Sequence, residues 1–202
     1  LVSLPANLEV KGNVHLDGCV SLTYLPENFK VGGDLNLEEC VELESFPSSL
    51  SVGGTLKASW CLKLKEVTDG LSTGEDFILE SCENLESVGN NIKVGGSLIL
   101  SRCENLRSIG NNIEVLDELI LEDCINLTSL GKGIKVGAFA NFTKCVSLES
   151  LPSDMIVKYG IDLEDTSIAS KTEKEIREMC PGIEGEIKGL IEGYIESFSR
   201  FV

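Results

Sequence analysis

The sequence predicts an α/β solenoid: a stack of near-identical units, each adding one short strand to a parallel sheet. Three observations predict it. Cysteine recurs at one fixed interval, apolar residues recur on that same interval, and an alternating L-x-L tract occupies the same place in each unit. Seven of the eight cysteines, Cys19, Cys40, Cys61, Cys82, Cys103, Cys124 and Cys145, stand 21 residues apart without exception.

The apolar columns keep the same period. Leu16, Leu37, Ala58, Leu79, Leu100, Leu121 and Phe142 lie three residues before a cysteine, and Val14, Leu35, Leu56, Phe77, Leu98, Leu119 and Ala140 lie five before. Leu22 to Leu148 and Leu25 to Leu151 mark two columns after it, and a column from Val10 to Val157 precedes the next strand. Eight such units cover residues 1–168, and residues 169–202 form a C-terminal segment of different composition. Alternating L-x-L is a period-2 signal for a strand. Stacking at ~4.8 Å per unit gives a body on the order of 40 Å long with one continuous core, since no unit can bury its apolar face alone.

The unit reads L-x-V-G-G-x-L-x-L-x-x-C-x-x-L-x-S-L-P. Its centre, L-x-L-x-x-C-x-x-L, resembles the leucine-rich repeat, with cysteine where many families carry asparagine. The 21-residue length and the L-P turn are similar to short bacterial repeats, including those of secreted effectors, and the V-G-G pair resembles a repeat type of bacterial and phage-like proteins. The resemblance implies a curved parallel sheet whose concave face carries the middle residue of L-x-L and binds a protein.

The connecting elements follow from chain length and residue type. Gly32–Gly33, Gly53–Gly54 and Gly95–Gly96 turn the chain into the strand. Pro5, Pro26, Pro47 and Pro152 fix φ on the return side, where Gly89, Gly110 and Gly131 stand in the middle units. That side is too short for a helix in every unit, so extended or short 3₁₀ backbone is expected. Beyond Thr166, where an eighth ladder cysteine would fall, a C-terminal helical cap is expected. Ser170 and Glu173 have capping-box spacing for a helix to about Met179. Pro181-Gly182 breaks it, and a second helix carries Ile183, Ile187, Leu190, Ile191, Tyr194, Ile195, Phe198 and Phe201 on one stripe. Gly185, Gly189 and Gly193 weaken that helix and point to close contact with something.

Composition narrows function. Lys plus Arg number 17 against 33 Asp plus Glu, a net charge of −16, which argues against nucleic acid and against an anionic membrane surface. No apolar run reaches the ~18 residues of a membrane span. The chain opens at Leu1 in mid-pattern without a methionine, which reads as a piece of a longer protein.

The cysteine column reads as a buried ladder of free thiols. Disulfides between rungs fit less well, because parallel Cβ atoms ~4.8 Å apart exceed the preferred ~3.8 Å. A one-dimensional row cannot surround a metal tetrahedrally, so no metal and no cofactor is expected. Buried thiols favour a reducing compartment, the cytoplasm or a host cytosol. Two sequons, Asn126-Leu-Thr128 and Asn141-Phe-Thr143, keep an extracellular home open. No enzyme activity is expected. The one histidine, His15, and the one off-ladder cysteine, Cys180, are separated by about 35 Å of stack, far beyond the ~3 Å a catalytic pair needs. The Cys-x-Asp signature of leucine-rich effector ubiquitin ligases is also missing.

The outward column of the strand runs His15, Asn36, Lys57, Ile78, Ile99, Ile120, Asn141 and Asp162. Its three isoleucines, with Trp60, Arg102 and Phe139 nearby, form the expected protein-binding site, rimmed by carboxylates that suit a partner with a basic surface. The isoleucines equally fit a role as β-branched neighbours that stabilise the sheet. Two other functions stay open: the recognition part of a larger bacterial effector enzyme, and an extracellular adhesin or surface repeat. Oligomeric state is not legible.

Overall fold

The computed structural model describes residues 1–48 and 50–191. Its framework is a parallel β-solenoid with turns of 21 residues. The turns contribute strands to two long walls, and the four turns around Cys61, Cys82, Cys103 and Cys124 also to a third. The turn around Cys103 is typical: Lys93–Val94 joins an eight-stranded sheet, Leu98–Ile99 a nine-stranded sheet, and Ser108–Ile109 a four-stranded sheet. Every residue pairs with its equivalent 21 positions away through the repeats of each sheet, as Val94 with Val115 and Ile109 with Leu130.

The three walls correct the expected single curved sheet. The backbone of the return side is extended, as its length dictates, but it also forms two hydrogen-bonded ladders. The K-V tract donates Lys93 N–H to the Leu71 carbonyl and Gly95 N–H to Thr73. The buried valine column of the eight-stranded wall and the Val67, Val88, Ile109 column of the four-stranded wall face the same interior as the leucines. Thr73 replaces a valine there and satisfies its hydroxyl on the Glu75 carbonyl at 2.8 Å.

The interior is one cluster of stacked side chains, continuous from Leu16 to Ile183. Its irregularities compensate in volume. Ala58 lies one turn before Phe77, and Ala140 shares a turn with Phe142; all four are completely buried. Phe77 meets Phe46 edge-on, with ring centroids 6.2 Å apart.

The cysteines pack as free thiols, fully buried from Cys40 to Cys145 and half-buried at Cys19. Each Sγ from Cys40 to Cys145 donates to the carbonyl 24 residues earlier, Leu16 for Cys40 through Leu121 for Cys145, at 3.0–3.4 Å. Burial pushes the Cys40 thiol up to about 11 and Cys145 up to about 12, and raises Cys61 and Cys124 as well. At the eighth position Thr166 bonds the Leu163 carbonyl at 2.7 Å and caps the 3₁₀ turn Ser167–Ser170.

Two sequence columns adopt positive φ. The residue before each cysteine, from Gly18 through Glu39, Trp60, Ser81, Arg102, Asp123 and Lys144 to Asp165, has φ between 56° and 65°. A second column holds Asn7, Asn28, Gly70, Asn91, Asn112 and Gly133, residue types suited to it. The first glycine of the V-G-G pair serves a different purpose. A Cβ on Gly53 would overlap the Gly32 carbonyl oxygen of the turn below.

The C-terminal end departs from expectation. Among the described residues the one α-helix is Glu173–Met179, so the expected α/β class and helical cap reduce to a β-solenoid carrying one short helix. Its N-cap is Thr172, boxed with Glu175, and not Ser170 with Glu173. Ser170 instead closes the 3₁₀ turn. The expected second helix is absent from its described part. Glu186–Lys188 is a strand, paired parallel with Gly160–Asp162 at the end of the nine-stranded sheet. The open edge of Gly160–Asp162 offers hydrogen bonds that outweigh helical periodicity. Gly185 and Gly189 permit the approach, since a Cβ on either would overlap the backbone at Tyr159 or Glu164. Tyr194, Ile195, Phe198, Phe201 and Gly193 lie outside the described residues. No helix among the described residues is long and apolar enough to cross a membrane.

Candidate functional site

The outer face of the nine-stranded sheet gathers most of the residues singled out from sequence. Ile78, Ile99 and Ile120 pair directly in register, flanked by Lys57 below and Asn141 above. All three are half-buried on the solvent side, while their chain neighbours, Phe77 and five leucines, are fully buried.

Three polar members of the same column have a local task. The side-chain oxygens of Asn36, Asn141 and Asp162 accept the N–H two residues on, from Glu38, Thr143 and Glu164, at 2.8–3.0 Å. These Asx turns end the strand. The isoleucines forgo that bond. An Asn or Asp at the last position of the strand is a readable signal, and sequence reasoning missed it.

Trp60 is exposed at the edge of the face, 49% accessible, with its backbone at φ 63°. Arg102 occupies the same column two turns on and is exposed. Phe139 stands on the opposite edge, next to the turn, and is half-buried. The Lys188 ammonium sits 5.4 Å from its ring centroid, so the C-terminal strand partly occupies this residue. The face therefore brings the isoleucines together as one stripe and places Trp60 and Phe139 on opposite sides of it.

Between the isoleucine column and the Trp60 column runs a row holding Glu38, Ser59, Glu80, Ser101, Glu122, Thr143 and Glu164. Ser59 is buried and accepts the Glu80 N–H at 3.2 Å. Among the described residues, no ion pair or side-chain hydrogen bond engages the carboxylates of Glu38, Glu80, Glu122 or Glu164. Asp123, in the neighbouring column, is paired with Lys144 at 3.4 Å. The face thus combines an apolar stripe with a row of free negative charge.

His15 and Cys180 lie at opposite ends of the stack, His15 exposed in the first strand of the sheet and Cys180 buried after the helix, its Sγ on the Met155 carbonyl. No group of three or more metal-ligating side chains occurs among the described residues. A second exposed apolar feature escaped sequence reasoning. Leu116, 72% accessible, stands where Gly32, Gly53, Gly74, Gly95 and Gly137 stand in other turns. The break in the glycine column was the signal.

Comparison with family models, curated proteins and solved structures finds no match to this chain.

Proposed function

We propose that this solenoid is a protein-binding module of leucine-rich-repeat type that docks its partner on the outer face of the nine-stranded sheet and acts by binding without catalysis. One observation carries the reading: Ile78, Ile99 and Ile120 replace strand-ending polar residues with a contiguous apolar stripe on a solvent-facing column. Apolar stripes with polar rims mark contact surfaces. Trp60 adds an exposed aromatic of the kind enriched at binding hot spots, and the carboxylate row favours a basic partner. The free buried thiols support a reducing compartment as the working environment.

Affinity capture with wild-type protein and an Ile78/Ile99/Ile120→Asp variant tests this. Circular dichroism and unfolding establish first that the variant is folded. Proteins retained by the wild type and lost by the folded variant are the expected result. Equal recovery by both removes the binding site from this face. A variant that no longer folds assigns the isoleucines to sheet stability; Ile99→Thr, which keeps β-branching and removes apolar area, then takes its place.

A further inference from the structure

The carboxylate row has a spacing of its own. From Glu38 the acids recur at Glu80, Glu122 and Glu164, every second turn, with Ser59, Ser101 and Thr143 between. In-register parallel pairing makes one turn ~4.8 Å, so the backbone positions that carry successive carboxylates stand ~9.6 Å apart and the row spans about 29 Å. The isoleucine stripe runs parallel to it, two residues away in each turn.

A ligand lying along the stack must repeat at that interval to meet every acid. An extended β-strand presents one face at ~6.7 Å and loses step at once. An α-helix returns close to one face after about seven residues, ~10.5 Å, and its error grows to about 3 Å over the row. A polyproline-II helix has three residues per turn and rises 3.1 Å per residue, so one ridge repeats every ~9.3 Å. Its error over the row is about 1 Å, within the reach of a flexible lysine.

We infer that the face binds a polyproline-II segment of a partner protein with lysine or arginine at every third residue. This rests on the protein-binding reading and specifies its partner. The segment lies along the stack axis. Its basic ridge meets Glu38, Glu80, Glu122 and Glu164, its second ridge, apolar and proline-rich, rests on Ile78, Ile99 and Ile120, and its third faces solvent. Trp60, beside the acid row, offers the flat aromatic surface that proline-rich segments use elsewhere. A polyproline-II segment is already extended in solution, so little ordering entropy opposes docking.

Fluorescence anisotropy with the full chain tests it. The probe is a labelled peptide of about ten residues with lysine at every third position and proline between. The comparison peptide has equal length and charge with lysine at every second position. The expected result is at least about tenfold tighter binding of the first, with a Glu80→Gln/Glu122→Gln variant losing about tenfold and added salt weakening both. Equal affinity for the two spacings, or affinity unchanged in the glutamine variant, overturns the proposal; so does no binding of the period-three peptide. A captured partner that depends on the isoleucines but does not compete with this peptide also overturns it, and leaves the protein-binding reading standing.

Discussion

The Sγ of Cys103 donates to the Leu79 carbonyl oxygen at 3.0 Å, reaching back across one turn of the stack. That oxygen lies in the interior beside a fully buried leucine, so the thiol satisfies a polar atom that water does not reach. The repeat uses cysteine here because sulfur fills a small apolar space and still supplies a weak donor.

Replacing Cys103 with alanine removes both contributions. The expected loss is about 1–2 kcal/mol, from a cavity the size of one sulfur and an unpaired carbonyl. Urea unfolding followed by circular dichroism measures it as a lower midpoint. The same substitution at Cys19, which is half-buried and has no turn below it, costs less.

Alkaline pH acts on the same ladder. The Cys40 and Cys180 thiols are held up to about 11 and Cys145 up to about 12, each chiefly by burial, from an ordinary value of 9.0. A raised folded value means that the unfolded chain loses its protons first. The stability contribution is therefore whole below pH 9 and declines as pH rises through 11 to 12. Unfolding midpoints taken at several pH values above 9 show this decline, and a cysteine-to-alanine series flattens it. Native thiol labelling at pH 8 proceeds slowly compared with unfolded chain.

The positive-φ column makes an opposite prediction for the surface. Arg102 holds φ 61°, a conformation that costs an L-residue roughly 1–2 kcal/mol. Glycine relieves that cost but gives back roughly 0.5–1 kcal/mol in chain entropy. Arg102→Gly is thus expected to raise the urea midpoint by an amount worth up to about 1 kcal/mol. Gly18, in the same column at φ 65° and with open space where a Cβ would lie, responds in reverse to alanine.

Cysteines and leucines on one interval made the stack legible, because identical spacing is itself the evidence for stacking. The return walls were not legible. Tracts such as Ser108–Ile109 and Lys93–Val94 are two residues long, too short for alternation to show. Their pairing comes from the neighbouring turns. At the C-terminal end, Ser170 with Glu173 and Thr172 with Glu175 are both spaced as capping boxes, and only the 3₁₀ turn after Thr166 decides between them. Ile187 fits a helical stripe as well as it fits a strand, and the edge at Gly160–Asp162 chooses the strand. The isoleucine stripe was readable from its column. The Asx turns that set it apart required seeing where the Asn36 and Asn141 oxygens point.

The compensating volumes at Ala58 with Phe77, and at Ala140 with Phe142, bear on how the chain finds its alignment. Turns this alike can nucleate in the wrong order, with one segment displaced by a whole 21-residue unit and every backbone hydrogen bond still made. Backbone pairing alone does not discriminate between such alignments. A displaced stack would seat a phenylalanine against a full complement of leucines and leave a void beside the orphaned alanine. These few mismatched sizes work as address labels, making one alignment among several near-equivalent ones the only one that packs without gaps.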